Sequence, residues 1–155
     1  MDPELERALR ALDEAAQFAN VTDDWDLFLP VDPDNLVQAW AACDDIDSEL
    51  WVGEEPLDRP RDRWLAERII DRRALTRVTG PGDLRVDLTL VMKGFDFEAA
   101  WQGRRVFVLA GVDVPTARLR HIVESKHAAG RDRDKLFLAT HKDALEQFLK
   151  RPDET

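Results

Sequence analysis

Two aspartates at the head of an apolar run, Asp24 and Asp26, have the residue type and spacing that most favour chemistry. In a β-strand alternate side chains share a face, so both carboxylates would point one way while Trp25 and Leu27 point into a core. Adjacent carboxylates repel each other unless a cation lies between them. Hard ions such as Mg²⁺ take carboxylate oxygens and keep waters and substrate phosphates as further ligands. The pair therefore predicts a metal site, with an exposed acidic strand edge as the alternative.

A third carboxylate, Asp87, lies inside the apolar run over residues 84–91. An ionised side chain in such a run is costly unless it is paired or bound to a metal. If this run lies beside a strand predicted over residues 21–29, Asp87 stands next to the first two acids. Three carboxylates on adjacent strands suit a two-metal site for phosphoryl transfer. The alternative is a surface ion pair with an arginine, either Arg85 or Arg105.

The surrounding pattern predicts the elements that would position these acids. Asp2 is a plausible N-cap with Pro3 at the first helical position, and Asp32 begins a second helix in the same way. Helices are predicted over residues 3–17, 33–43, 117–129 and 132–150. Residues 60–73 form either a helix or a partly ordered basic segment, and residues 97–101 a short helix or a helical turn. Strands are predicted over residues 21–29, 49–53, 74–78, 84–91, 105–109 and 112–114. This order predicts an α+β fold, a mixed or antiparallel sheet flanked by helices with a C-terminal helix pair. The domain covers residues 1–150, and residues 151–155 form a tail.

Other reactive side chains are interpreted as structural. A second Asp-x-Asp, at Asp45 and Asp47, follows a helix and has no apolar strand to hold it, which indicates a loop or a helix cap. Cys43 is the single cysteine, so it has no partner for a disulfide, and its context predicts a buried helix position. The three histidines do not form a zinc pattern; they are His121, His127 and His141.

Charge and composition limit the classes of function. A formal charge of −10 argues against a general nucleic-acid binder, because phosphate neutralisation requires clustered cations. Two local basic patches remain, over residues 59–73 and 118–135, although the acids interleaved with them favour solvated helix faces. No apolar run reaches the length of a membrane span, and the acidic N-terminus lacks the features of a signal peptide. We therefore expect a cytoplasmic protein.

The order of these motifs resembles the minimal nucleotidyltransferase superfamily. The similarity begins at Thr22-x-Asp24-x-Asp26-Leu27 and continues through Asp34-Asn35-Leu36, Val86-Asp87-Leu88 and Gly94-Phe95-x-Phe97-Glu98. The segment from Arg118 to Asp134 is similar to the family pattern L-x-x-LI-x-x-K-x-x-x-GR-x-x-D. In style the chain is most similar to toxins of the AbiEii/MenT type and to related stand-alone bacterial proteins.

The resemblance implies transfer of a nucleotide from an NTP with two Mg²⁺ ions. Asp24 and Asp26 match the metal-binding pair, and Asp87 matches the third carboxylate, which binds one metal and assists deprotonation of the acceptor hydroxyl. Lys126 matches a basic position that faces the nucleotide phosphates. The acceptor would be an RNA end, such as that of tRNA, or a cognate partner protein in a toxin–antitoxin or phage-defence pair.

One part of the family pattern is missing. Family members carry a Gly-Gly or Gly-Ser turn before the Asp-x-Asp strand, where backbone amides cradle the triphosphate. This chain has no glycine before Gly53, and residues 15–18 occupy the corresponding place. The alternative to an active enzyme is therefore a catalytically impaired nucleotidyltransferase-like module that acts by binding.

Overall fold

The helices begin where the sequence supplies aspartate caps. The computed structural model describes residues 2–21 and 25–150. Asp2, Asp32, Asp62 and Asp96 each accept a hydrogen bond from a backbone amide of the first helical turn, at 2.8–3.0 Å. A carboxylate at this end also interacts favourably with the helix dipole. The four capped helices are α1 Pro3–Ala15, α2 Pro33–Asp45, α3 Arg63–Asp71 and α4 Phe97–Gln102.

Three further helices form the C-terminal part of the described chain. Gly130, with φ 61°, ends the first of them in the left-handed conformation that glycine adopts without strain. These helices are α5 Leu119–Ala129, α6 Asp132–Thr140 and α7 Lys142–Leu149.

One mixed sheet connects the helices. Its strands are β1 Ala19–Asn20, β2 Asp26–Phe28, β3 Glu49–Val52, β4 Glu55–Pro56, β5 Thr76–Gly80, β6 Leu84–Thr89, β7 Arg105–Leu109 and β8 Val112–Thr116. They lie in the order β4-β3-β5-β6-β2-β1-β8-β7. The β2–β6 and β1–β8 pairs are parallel, and the other pairs are antiparallel. The predicted α+β class, with a mixed sheet and C-terminal helix pair, is confirmed.

Apolar side chains pack on both faces of the sheet. Leu27 belongs to a large cluster that α1 and α2 cover, whereas the next residue, Phe28, belongs to a smaller cluster with α4. Successive strand residues point to opposite faces, so the two clusters lie on opposite sides. Trp40 of α2 is fully buried in the large cluster, and its Nε1 donates to Thr76 Oγ1 at 3.2 Å.

The single strand predicted over residues 21–29 is wrong. β1 and β2 pair antiparallel with Ala19 opposite Phe28, and Val21 N donates to Asp26 O at 2.9 Å. The chain therefore reverses between the two strands, and Trp25 has a φ of 55°. This conformation is incompatible with a continuous strand, although aromatic residues favour strands in general.

Two helix predictions also need correction. The helix predicted over residues 132–150 is divided at His141 into α6 and α7. The helix predicted over residues 117–129 begins later, at Leu119, because β8 extends to Thr116. Within the described residues, no helix is both long and apolar enough to cross a membrane.

Candidate functional site: a polar cleft at the β2–β6 pair

Asp26 and Asp87 lie side by side on adjacent strands. The parallel pairing of β2 with β6 places them directly opposite each other, and Asp87 N donates to Trp25 O at 3.1 Å. Both residues are partly buried and both line the same cleft. The neighbouring-strand arrangement predicted for these two acids is therefore present. Asp24, the third predicted ligand, lies outside the described residues.

An arginine already contacts the Asp87 carboxylate. Arg77 lies opposite Asp87 in the antiparallel β5–β6 pair. Its Nε donates to Oδ1 at 2.9 Å and its Nη2 to Oδ2 at 3.4 Å. The hydrogen bond and charge of Asp87 raise the pKa of Arg77, and the charge of Asp26 adds to this effect. Neither arginine suggested by the sequence makes this contact; the partner is on the neighbouring strand.

The cleft has a volume of about 900 Å³, and its described lining carries more basic than acidic side chains. Among its described lining residues the acids are Asp26 and Asp87. The basic residues are Arg77, Arg85, Lys93, Lys126, Arg131 and Arg133. In a chain of formal charge −10, this concentration of cations favours an anionic ligand in the cleft.

Lys126 enters the cleft from α5 and is held by α6. Its Nζ lies 3.9 Å from Asp134 Oδ1 and 4.4 Å from the centre of the Phe137 ring. Ile122, one turn earlier on α5, packs against the smaller apolar cluster and fixes the orientation of this helix face. Lys126 thus lines the cleft, and its contact with nucleotide phosphates stays a prediction.

Asp134 organises the corner between α5 and α6. It is 1% exposed and accepts from Arg131 N at 3.2 Å and from Arg131 Nε at 2.7 Å. Burial alone would raise the pKa of Asp134, but the hydrogen bonds and charge of Arg131, together with Lys126, hold it below its usual value. The carboxylate therefore stays ionised and positions two cations of the cleft wall.

The basic patch over residues 59–73 is largely neutralised. Arg61 Nη1 lies 2.5 Å from Asp44 Oδ1, and Arg63 Nη1 lies 2.8 Å from Asp34 Oδ1. Arg68 has Glu67 and Asp71 within 4 Å. This arrangement fits the interpretation as a solvated helix face rather than a binding patch.

Residues 15–18, which stand where the family has its glycine turn, make no part of the cleft wall. Their backbone is engaged elsewhere, since Gln17 N donates to Asn35 Oδ1 at 2.8 Å and Asn35 Nδ2 donates to Gln17 O at 3.1 Å. The second acidic pair is also remote from the cleft. Asp45 ends α2 and Asp47 follows in a turn with φ 58°, and both are exposed.

The described residues bring two of the predicted carboxylates together with several unpredicted cations. They contain no group of three or more His, Cys, Asp or Glu side chains placed to hold a metal. Sequence reasoning missed Arg77, Arg85 and Lys93 as cleft residues. The position of Arg77 could have been predicted, because a hairpin that turns at residues 81–83 places residue 77 opposite residue 87.

No protein family, curated protein or solved structure matches this chain.

Proposed function

We propose that the chain is a cytoplasmic nucleotidyltransferase-fold protein that transfers a nucleotide from a Mg²⁺-bound NTP to an RNA end, such as that of tRNA, or to a cognate partner protein. A toxin–antitoxin or phage-defence pair is the setting that the sequence resemblance implies. The observation that carries the proposal is the register of Asp26 and Asp87 within a cleft lined by six basic residues.

The residues present fit a divalent cation and a polyphosphate. Asp26 and Asp87 supply carboxylate oxygens at adjacent positions of one sheet face, the ligand type that Mg²⁺ prefers. A Mg²⁺ ion bound there would neutralise charge on the triphosphate and favour deprotonation of the attacking hydroxyl. Lys126 and Arg133 would bind phosphate oxygens from the α5–α6 side of the cleft. The acceptor oxygen would bond to the α-phosphorus of the NTP while the bond to the β-phosphate breaks and pyrophosphate leaves. Asp87 would assist deprotonation of the acceptor hydroxyl, the role that the resemblance implies.

The Arg77–Asp87 ion pair favours a second candidate, a nucleotide-binding module without transferase activity. Arg77 contacts both oxygens of Asp87, and a guanidinium in this position competes with a metal ion for the carboxylate. In this case the basic cleft still binds a nucleotide, but the transfer step is impaired. Residues 15–18 contain no glycine at the place where the family has its glycine turn, and this agrees with the second candidate.

Nucleotide transfer can be tested with each radiolabelled NTP, Mg²⁺ and total tRNA, and in parallel with a lysate containing partner proteins. We expect an acceptor to be labelled, and Asp26→Asn or Asp87→Asn to reduce labelling by at least about 100-fold, the upper end of what outer-shell metal partners cost. The matched control is the double variant Asp45→Asn, Asp47→Asn, which changes an exposed Asp-x-Asp pair outside the cleft.

The outcomes separate the two candidates. NTP binding without labelling of RNA or protein would contradict the transferase and support the binding module. Absence of both labelling and NTP binding would contradict both. An equal loss of labelling in the control variant would show that the total negative charge of the chain, rather than the Asp26 and Asp87 carboxylates, is responsible.

A further inference from the structure

We propose that Arg77 breaks its ion pair with Asp87 and binds an anion instead when the anion enters the cleft. The Asp87 carboxylate then becomes available to a divalent cation. This inference rests on the proposed function, because it concerns how that same cleft loads its two ligands. Arg77 would act as a positioning residue that couples the binding of the anion to the binding of the metal.

The first observation is that the ion pair engages the whole carboxylate. Arg77 Nε and Nη2 each approach a different oxygen of Asp87, at 2.9 and 3.4 Å. A divalent cation on Asp87 would therefore lie within a few ångströms of a guanidinium. Two cations at that separation repel each other strongly in a partly buried site. Metal binding to Asp87 and the observed Arg77 contact are thus mutually opposed.

The second observation is that the Arg77 side chain is more exposed to solvent than its partner. Its side chain is 37% exposed, whereas that of Asp87 is 15% exposed. Asp87 is fixed on β6, which β2 and β5 flank on either side. A long arginine side chain at the cleft wall can therefore rotate toward solvent without disturbing the sheet, because its polar head is already partly solvated.

The third observation is that the described cleft wall carries no acidic side chain besides Asp87 and Asp26 to which Arg77 could turn. The remaining described acid of the cleft, Asp26, raises the pKa of Arg77 through its charge and is itself a proposed metal ligand. The other charged groups in the described cleft wall are cations. An anion held by these cations would give the guanidinium a partner of the geometry that arginine binds well.

Coupling of this kind is reciprocal. If the anion releases Asp87 and thereby strengthens metal binding, the metal must strengthen anion binding by the same factor. Without an anion, the Arg77 pair should weaken the metal site. This arrangement would favour loading of metal and polyphosphate together over loading of metal alone.

The test measures Mn²⁺ binding by electron paramagnetic resonance, in chloride and in sulfate at equal ionic strength. For the wild-type chain we expect sulfate to lower the Kd for Mn²⁺ by about threefold or more, since a partly exposed ion pair has that order of effect. In Arg77→Gln, we expect the tighter Kd already in chloride and no further effect of sulfate. Asp87→Asn identifies the Mn²⁺ ions that belong to this site.

Arg85→Gln is the matched control, because it also removes one positive charge from the cleft wall but no hydrogen bond to Asp87. Because Arg85 is one of the cations that would hold the anion, this variant should need a higher sulfate concentration, but at saturating sulfate it should show the same fall in the Kd for Mn²⁺ as the wild-type chain. Equal changes in Arg77→Gln and Arg85→Gln would overturn the partner exchange in favour of general electrostatics. Mn²⁺ binding at Asp87 that is insensitive to sulfate in the wild-type chain would overturn it while leaving the proposed function intact. If Asp87→Asn removes no Mn²⁺ binding, both the partner exchange and the proposed function are overturned.

Discussion

Cys43 shows how a single residue is controlled by its surroundings. It is fully buried on α2, and Ser48 Oγ donates to its carbonyl oxygen at 2.6 Å. Burial raises the pKa of the thiol to about 12, an effect that the side-chain hydrogen bond with Ser48 opposes. The thiolate, which is the reactive form, is therefore strongly disfavoured at neutral pH.

We predict that native Cys43 does not react with Ellman's reagent at pH 8, whereas the chain in 6 M urea reacts fully. The single cysteine makes the absorbance change unambiguous. The raised pKa also predicts a pH dependence. Below the unfolded pKa of about 8.5 both states hold the proton, but between that value and about 12 only the unfolded state releases it. The contribution of Cys43 to the free energy of unfolding should thus fall as pH rises through this window. Rapid stoichiometric reaction in native buffer would contradict the prediction.

At the scale of elements, the contact between α4 and α5 depends on a glycine. Gly103 follows α4, and a Cβ there would lie 2.8 Å from Cε1 of His121 on α5. The His121 ring has limited freedom to withdraw, because its centroid lies 4.7 Å from that of Phe95. Since α5 also carries Lys126, this contact helps to set the position of the cleft wall.

We predict that Gly103→Ala lowers the free energy of unfolding by about 1–3 kcal/mol, the usual cost of overpacking. Urea denaturation measures this change. The control is the double variant Gly103→Ala, His121→Ala, in which the ring that clashes is absent. The double variant should lose less stability than the sum of the two single variants. Simple additivity would show that the steric contact is not the cause.

Helices and hairpins were predictable from the sequence where capping or turn residues determine their ends. The Asp-Pro pairs at residues 2–3 and 32–33 marked two helix starts, and the turn at residues 80–83 marked the β5–β6 hairpin. The reversal after β1 was not predictable from alternation, because Trp25 adopts a positive φ that its residue type does not favour. The Arg77–Asp87 contact needed the register of the hairpin, which apolar patterning alone does not supply.

Over the whole molecule, charge is distributed unevenly. The formal charge is −10, yet the described wall of the cleft carries six basic side chains and two acidic ones. Elsewhere several of the described acids cap helices, and others neutralise neighbouring arginines, as Asp44 and Asp34 do beside α3. A small anion should therefore bind in the cleft even though the net charge of the chain is negative, because the local cations lie within a Debye length.

Inorganic triphosphate tests this distribution without a nucleoside or a metal. At about 100 times its Kd it should stabilise the fold by about 2.7 kcal/mol, which raises the melting temperature by about 5–10 °C. Adenosine should have no effect, and 0.5 M NaCl should reduce the shift because screening weakens exposed ion contacts.

The double variant Lys93→Gln, Arg133→Gln removes two exposed cations of the cleft and should reduce the shift in melting temperature. Arg63→Gln, Arg68→Gln removes the same charge from the neutralised patch on α3 and should leave the triphosphate shift unchanged. If both double variants lose the shift equally, triphosphate responds to overall charge, and the cleft is not its binding site.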